Sequence, residues 1–131
     1  MINTFDIDGV INLDDFGGVY PGKDDILITG RCHEEAPDTL RWLEDRGITN
    51  QVIFQDIAFD DKTRKGSGIH KGKTILKLMR EGIEHGVHFE DDEIQIEEIK
   101  KIIPNVRIVH VKSDLVEKEN IRRPYETWLF I

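Results

Sequence analysis

Cysteine is nearly absent from this chain. Cys32 stands alone, which excludes an intrachain disulfide framework and any multi-cysteine zinc site. No apolar run approaches the roughly 20 residues that a membrane-spanning helix needs. The first residues, MINTFDID, reach carboxylates at once, with neither a basic leader nor a long apolar region. Basic residues are in the minority, 18 Lys and Arg against 26 Asp and Glu. The resulting net charge of -8 argues against a general nucleic-acid binder, which normally carries a basic surface. These absences predict a soluble, intracellular protein, cytoplasmic and not membrane-bound. What remains is 131 residues, 38% hydrophobic and 34% charged, the size of one domain. A single domain over 1–131 is expected.

Short apolar runs alternate with helical patterns along the chain. Strands are predicted at 2–7, 26–29, 51–57, 87–89 and 106–111, where apolar or β-branched residues cluster between turn signals. Helices are predicted at 37–46, at 71–81 and from about 94 to 103, the last stopped by Pro104. This alternation argues for an α/β fold, a Rossmann-like three-layer arrangement with a five-stranded, mostly parallel sheet. The segment 113–131, charged until Tyr125 and then apolar, is expected to dock on the body.

Ligands of open α/β sheets bind at the carboxyl ends of the strands, so the residues just after each strand are the informative ones. Asp6-Ile7-Asp8-Gly9 ends the first strand and Thr29-Gly30-Arg31 the second. Lys71 opens the predicted helix after the third, and Glu90-Asp91-Asp92 end the fourth. Carboxylates crowded on one rim repel one another unless a cation sits among them, and oxygen ligands suit Mg²⁺. A hydroxyl, an ammonium and backbone amides are what the outer oxygens of a phosphoryl group need. Of Asp6 and Asp8, one can attack phosphorus while the other shuttles the proton.

The order of motifs, DIDGV at 6–10, ILITGR at 26–31, HKGKTILKL at 70–78 and HFEDDEIQIEEI at 88–99, resembles the haloacid dehalogenase-like hydrolase superfamily. The resemblance covers about residues 1 to 112 and implies a Mg²⁺-dependent phosphomonoester hydrolase. It implies Asp6 as the nucleophile that forms an aspartyl-phosphate, also on the metal, and Asp8 as general acid and base, with its backbone carbonyl also on the metal. Thr29, Gly30 and Arg31 would bind substrate phosphate, and Lys71 would steady Asp6 and that phosphate. Asp91 is the preferred further metal ligand, with Glu90 and Asp92 as the neighbouring choices. The stretch from Asn12 to Asp25 is short, so the chain looks like a capless member with an abbreviated flap, and Val10 stands where many of these phosphatases have Thr. The SGR-like second motif is distantly similar to the phosphatase domain of phage polynucleotide kinase-phosphatase. The substrate is thus expected to be a phosphorylated small molecule or a phosphorylated nucleic-acid 3′ end. A non-catalytic binding or scaffold domain, monomeric or homodimeric, is the rival of another class.

Several features invite other readings. Residues 66–74, GSGIHKGKT, nearly spell a phosphate-binding loop, but the glycine required five before Gly72 is Ser67. The basic stretch 60–80 and the acidic stretch 81–100 read equally well as solvated helix faces. Lys73 rivals Lys71, yet a helix sets the two about 200° apart, so only one can face the rim. Cys32-His33 and the remaining histidines show no ligand spacing and are read as structural or surface residues.

Overall fold

A computed structural model of the chain describes residues 1–13 and 16–112. The expected docking of 113–131 lies outside the described residues. The elements are β1 (Ile2–Phe5), β2 (Asn12–Leu13), β3 (Phe16–Gly17), β4 (Ile26–Cys32), α1 (Ala36–Glu44), β5 (Val52–Gln55), α2 (Arg64–Arg80), β6 (His85–Glu90), α3 (Glu93–Ile102) and β7 (Ile108–His110). Five strands form one sheet in the order β5-β4-β1-β6-β7, and every pairing is parallel. The α/β architecture expected from the alternating pattern is present. β2 and β3 form a small antiparallel hairpin. Among the described residues no helix stands between β1 and β4.

Strand alternation assigns one set of side chains to each helical layer. Phe5, Ile7 and Leu27 pack with Leu43 of α1 and with Ile48. Phe5 also stacks on Phe89 of β6, ring centroids 4.3 Å apart. Ile26 and Ile28 point the other way, onto Ile75 and Leu78 of α2 and Ile99 of α3. The chain leaves β1 for β4 and β5 on one side, then crosses to β6 on the other. The order therefore reverses between β1 and β6, where a ligand crevice is expected in such sheets.

Three of the boundaries that differ from the sequence expectation shape the site. β1 stops at Phe5 because the chain turns sharply: the N–H groups of Val10, Ile11 and Asn12 all donate to the Ile7 carbonyl. β4 does not stop at Gly30 but runs on to Cys32. Its register against β5 slips between Ile28 and Cys32, which bends the strand at Thr29-Gly30-Arg31. α2 begins at Arg64, not at Lys71, and is capped by the Thr63 hydroxyl, which accepts the Gly66 N–H at 2.9 Å. Lys71 is therefore two turns inside the helix.

The glycines of 66–74 have a packing role instead of a phosphate-loop role. A Cβ on Gly68 would stand 2.8 Å from the Gln95 Cα and 3.0 Å from its carbonyl oxygen. A Cβ on Gly72 would stand 2.8 Å from Ile102 Cδ1 and 3.3 Å from the Ile99 Cα. One turn apart, the two glycines let α2 lie directly on the backbone of α3. Gly68→Ala should gain up to about 1 kcal/mol of helix propensity and lose about 1–3 kcal/mol to overpacking against rigid backbone. The expected net result is a lower urea midpoint, and an unchanged or higher midpoint would refute the close approach.

Candidate functional site

The β1–β6 boundary carries a polar stripe through an otherwise apolar sheet. Thr4 and Asp6 of the first strand and its exit, and His88 and Glu90 of β6, are all buried. They face the α2–α3 layer, because residues two apart share a face. Asp6 sits one residue past β1, its N–H donating to the Phe89 carbonyl at 3.0 Å.

Lys71 reaches this stripe from α2 and is 1% exposed. Its ammonium lies 2.9 Å from Asp6 Oδ1 and 2.8 Å from Glu90 Oε1, and it donates to Gln95 Oε1 at 2.5 Å. Burial alone would lower the pKa of this lysine, but the Asp6 and Glu90 carboxylates outweigh burial and push it up. Asp6 Oδ1 also accepts the Ile7 N–H at 2.8 Å. Lys73 lies on the exposed side of the helix.

The acidic run after β6 divides into three roles. Glu90 turns inward to Lys71. Asp92 caps α3, accepting the Ile94 N–H at 2.9 Å. It also takes a two-pronged contact from Arg64, 2.8 Å from Nε and 2.5 Å from Nη2. Burial would raise the Asp92 pKa, but the Arg64 guanidinium overrides this and lowers it. Asp91 lies with Asp6 and Glu90: one carboxylate oxygen from each falls within 4.8 Å of the other two. Its backbone carbonyl accepts from His110 Nε2 at 3.2 Å. Gly9 makes room for it, since a Cβ there would stand 1.9 Å from Asp91 Oδ2. The φ of +85° at Gly9 is also one that a side chain would strain.

Of the five residues expected at a metal, the structure brings together the carboxylates of Asp6, Glu90 and Asp91. Both Asp92 oxygens are instead held by Arg64. The Asp8 carboxylate, expected to serve as general acid and base, is held by an arginine as well. Arg31 donates to its two oxygens at 2.9 and 2.6 Å, and to Thr39 Oγ1 at 3.0 Å. The hydrogen bonds that Arg31 donates to Asp8 raise the arginine's pKa. Thr29 is fully buried inside β4, its hydroxyl accepting the Arg31 N–H at 3.1 Å. Gly30 gives space to Ser67 of α2, whose Oγ would be 2.6 Å from a Cβ at that position.

The donor set fits a hard divalent cation. It is all oxygen, and all three carboxylates are buried. Asp6, Glu90 and Asp91 would hold the ion.

Sequence reasoning missed Thr4, His88, Gln95 and Arg64. His88 was within reach of it, because a residue two before Glu90 on a strand shares its face. Arg64 and Gln95 carried no such signal. Fold and centre together define a parallel α/β protein whose switch point holds a buried acidic centre built around a lysine. No family model matches the chain, and neither a curated protein nor a solved structure matches it. No helix among the described residues is long and apolar enough to cross a membrane.

Two histidines near the centre fold neutral. Burial, aided by the Lys71 charge, lowers His70 from 6.5 to about 4. Burial and the neighbouring His88 lower His85 likewise to about 4. Between those values the unfolded chain binds protons that the folded chain refuses, so stability rises with pH. The contribution is complete above about 6.5 and is lost progressively as pH falls toward 4. The lowered carboxyls of Asp92 and Glu35 act in a more acidic window, losing their contribution as pH falls below the ordinary carboxylate range. Urea midpoints should therefore drop between pH 7 and pH 5, before most carboxylates titrate. A flat response there would contradict the neutral histidines.

Proposed function

We propose that this chain is a capless haloacid dehalogenase-like phosphatase, a Mg²⁺-dependent hydrolase of phosphomonoesters acting through Asp6. The observation that carries the reading is the buried Lys71 ammonium, 2.9 Å from Asp6 and 2.8 Å from Glu90, beside the Asp6–Glu90–Asp91 cluster. Held in that cluster, Mg²⁺ supplies positive charge that lets an anionic phosphoryl group approach a carboxylate.

In this reading an Asp6 carboxylate oxygen attacks phosphorus. The ester P–O bond breaks, and the leaving oxygen takes a proton from Asp8. Attack through Oδ2 leaves the Lys71 and Ile7 hydrogen bonds on Oδ1 intact. Water then attacks the aspartyl-phosphate, Asp8 takes its proton, and inorganic phosphate departs with Asp6 regenerated. Lys71 keeps Asp6 ionised before attack and faces the phosphoryl oxygens afterwards. An incoming phosphate competes with Asp8 for Arg31, and release of that contact lets Asp8 carry its proton.

One observation favours a second reading. Both Asp8 oxygens are taken by Arg31 in the structure, which opposes the protonation a general acid requires. A binding module that holds Mg²⁺ and phosphate without turnover tolerates that pair.

Hydrolysis of an aryl phosphate with Mg²⁺ and with chelator separates the two. Metal-dependent turnover is expected, and Asp6→Asn should abolish it while the protein stays folded. Lys71→Ala should cost orders of magnitude in rate, whereas Lys73→Ala, on the exposed side, should leave it unchanged. Turnover that survives Asp6→Asn removes the nucleophile from the proposal. Mg²⁺-dependent binding of beryllium fluoride without any turnover establishes the binding module instead.

A further inference from the structure

A continuous line of hydrogen bonds runs behind the acidic centre, and the proposed reaction steps do not use it. His85 Nε2 lies 2.9 Å from Thr4 Oγ1, and Thr4 Oγ1 lies 2.8 Å from His88 Nδ1. His88 Nε2 lies 3.1 Å from Glu90 Oε1, the oxygen that takes the Lys71 ammonium at 2.8 Å. The line thus begins at half-buried His85, at the start of β6, and ends at Lys71 and Asp6 on the opposite rim of the sheet. Thr4, His88 and Glu90 are each 0% exposed, so no solvent fills these bonds.

Strand geometry is altered to complete the line. Ile2 pairs with His85 and Thr4 with His88, so two steps along β1 match three along β6. The extra residue turns His85 onto the face of His88, which regular alternation would deny it. Asn3 supports the irregularity, its Oδ1 accepting the Val87 N–H at 3.0 Å. Gly86 leaves the space, since a Cβ there would stand 2.2 Å from that oxygen.

The Lys71 ammonium sets the direction of every bond. It can only donate, so Glu90 Oε1 accepts it at 2.8 Å. The same oxygen accepts from His88, which carries its proton on Nε2 and offers Nδ1 to the Thr4 hydroxyl. Thr4 therefore donates its hydroxyl to His88 and accepts from His85 Nε2–H. All three donors point toward Glu90.

We propose that Thr4 and His88 are positioning residues that hold Glu90, and through it the Lys71 ammonium, in register with Asp6. The inference rests on the reading of Asp6 and Lys71 as the catalytic pair. A pinned Glu90 cannot follow Lys71 when phosphate arrives, so the ammonium stays shared between Asp6 and the phosphoryl oxygens. Residues that orient a functional carboxylate in this way typically carry 10–100-fold of activity.

Two measurements test it together. Nitrogen NMR of the imidazole rings should find both His85 and His88 as neutral Nε2–H tautomers at pH 7. Thr4→Val, which keeps shape and strand preference, should lower kcat about ten-fold with KM for the phosphoester nearly unchanged. Thr4→Ser, which restores the hydroxyl, should recover kcat. If Thr4→Val does not fold, His88→Gln replaces it, keeping a donor toward Glu90 while losing the Thr4 link, and a similar kcat loss is expected. An Nδ1–H tautomer of His88 overturns the chain whatever the activity. A folded Thr4→Val or His88→Gln with wild-type kcat, or a Thr4→Ser as slow as the valine, overturns the positioning role alone. A wild-type protein inert toward every phosphomonoester overturns that role together with the phosphatase reading, and the tautomers then decide separately whether the chain exists.

Discussion

The ammonium of Lys71 holds this molecule's centre together. An unpaired buried charge is among the most costly things a fold can contain, and removing one partner of a buried pair typically costs about 3–5 kcal/mol. Here the compensation is complete on the lysine's side: Asp6, Glu90 and Gln95 accept from its ammonium. Those acceptors come from the exit of β1, the end of β6 and the first turn of α3. One side chain of α2 therefore ties together the two strands at the switch point and the neighbouring helix. Moving any of these elements would break a bond in a place where water cannot replace it.

The two arginine clamps have a different purpose. Arg31 on Asp8 and Arg64 on Asp92 neutralise carboxylates at either side of the centre, each in two-pronged geometry that fixes orientation as well as charge. The acids of the rim are thus sorted by partner: Asp8 and Asp92 go to arginines, while Asp6 and Glu90 share Lys71 beside Asp91. The same sorting explains the polar stripe of the sheet. Thr4 and His88 are neutral, so they support Glu90 without adding to its charge.

Much of the architecture was legible because buried parallel strands leave dense apolar runs, such as Ile26-Leu27-Ile28. The β-branched run from Val106 to Val111 marked a strand as well, although β7 is a partly exposed edge strand. Strand ends then located Asp6, Thr29 and Glu90-Asp91 at one rim. The start of α2 was not legible, because Gly66, Gly68 and Gly72 are poor helix formers. Only contact with α3, a tertiary feature, makes the glycines of 68 and 72 favourable. The roles of Asp8 and Asp92 were hidden for another reason. Their arginine partners lie 23 and 28 residues away, and nothing local distinguishes a paired carboxylate from one kept for a metal. Lys71 was chosen over Lys73 by its supposed place at a helix start. It faces the rim because of its angular phase on a helix that begins two turns earlier.

The seating of α2 on α3 also limits how the protein can change. Lys71 lies between Gly68 and Gly72 in the same helix, so the depth to which its ammonium enters the sheet is set by how closely the two helix backbones approach. Any bulk added to that seam lifts the helix and draws the charge away from Asp6 and Glu90 together. Replacing glycine with better helix formers, the usual route to a more robust helix, would here trade robustness against the alignment of the centre. Improvements in stability would have to come from α1 and the opposite face of the sheet, where packing can be tightened without changing the reach of a single lysine.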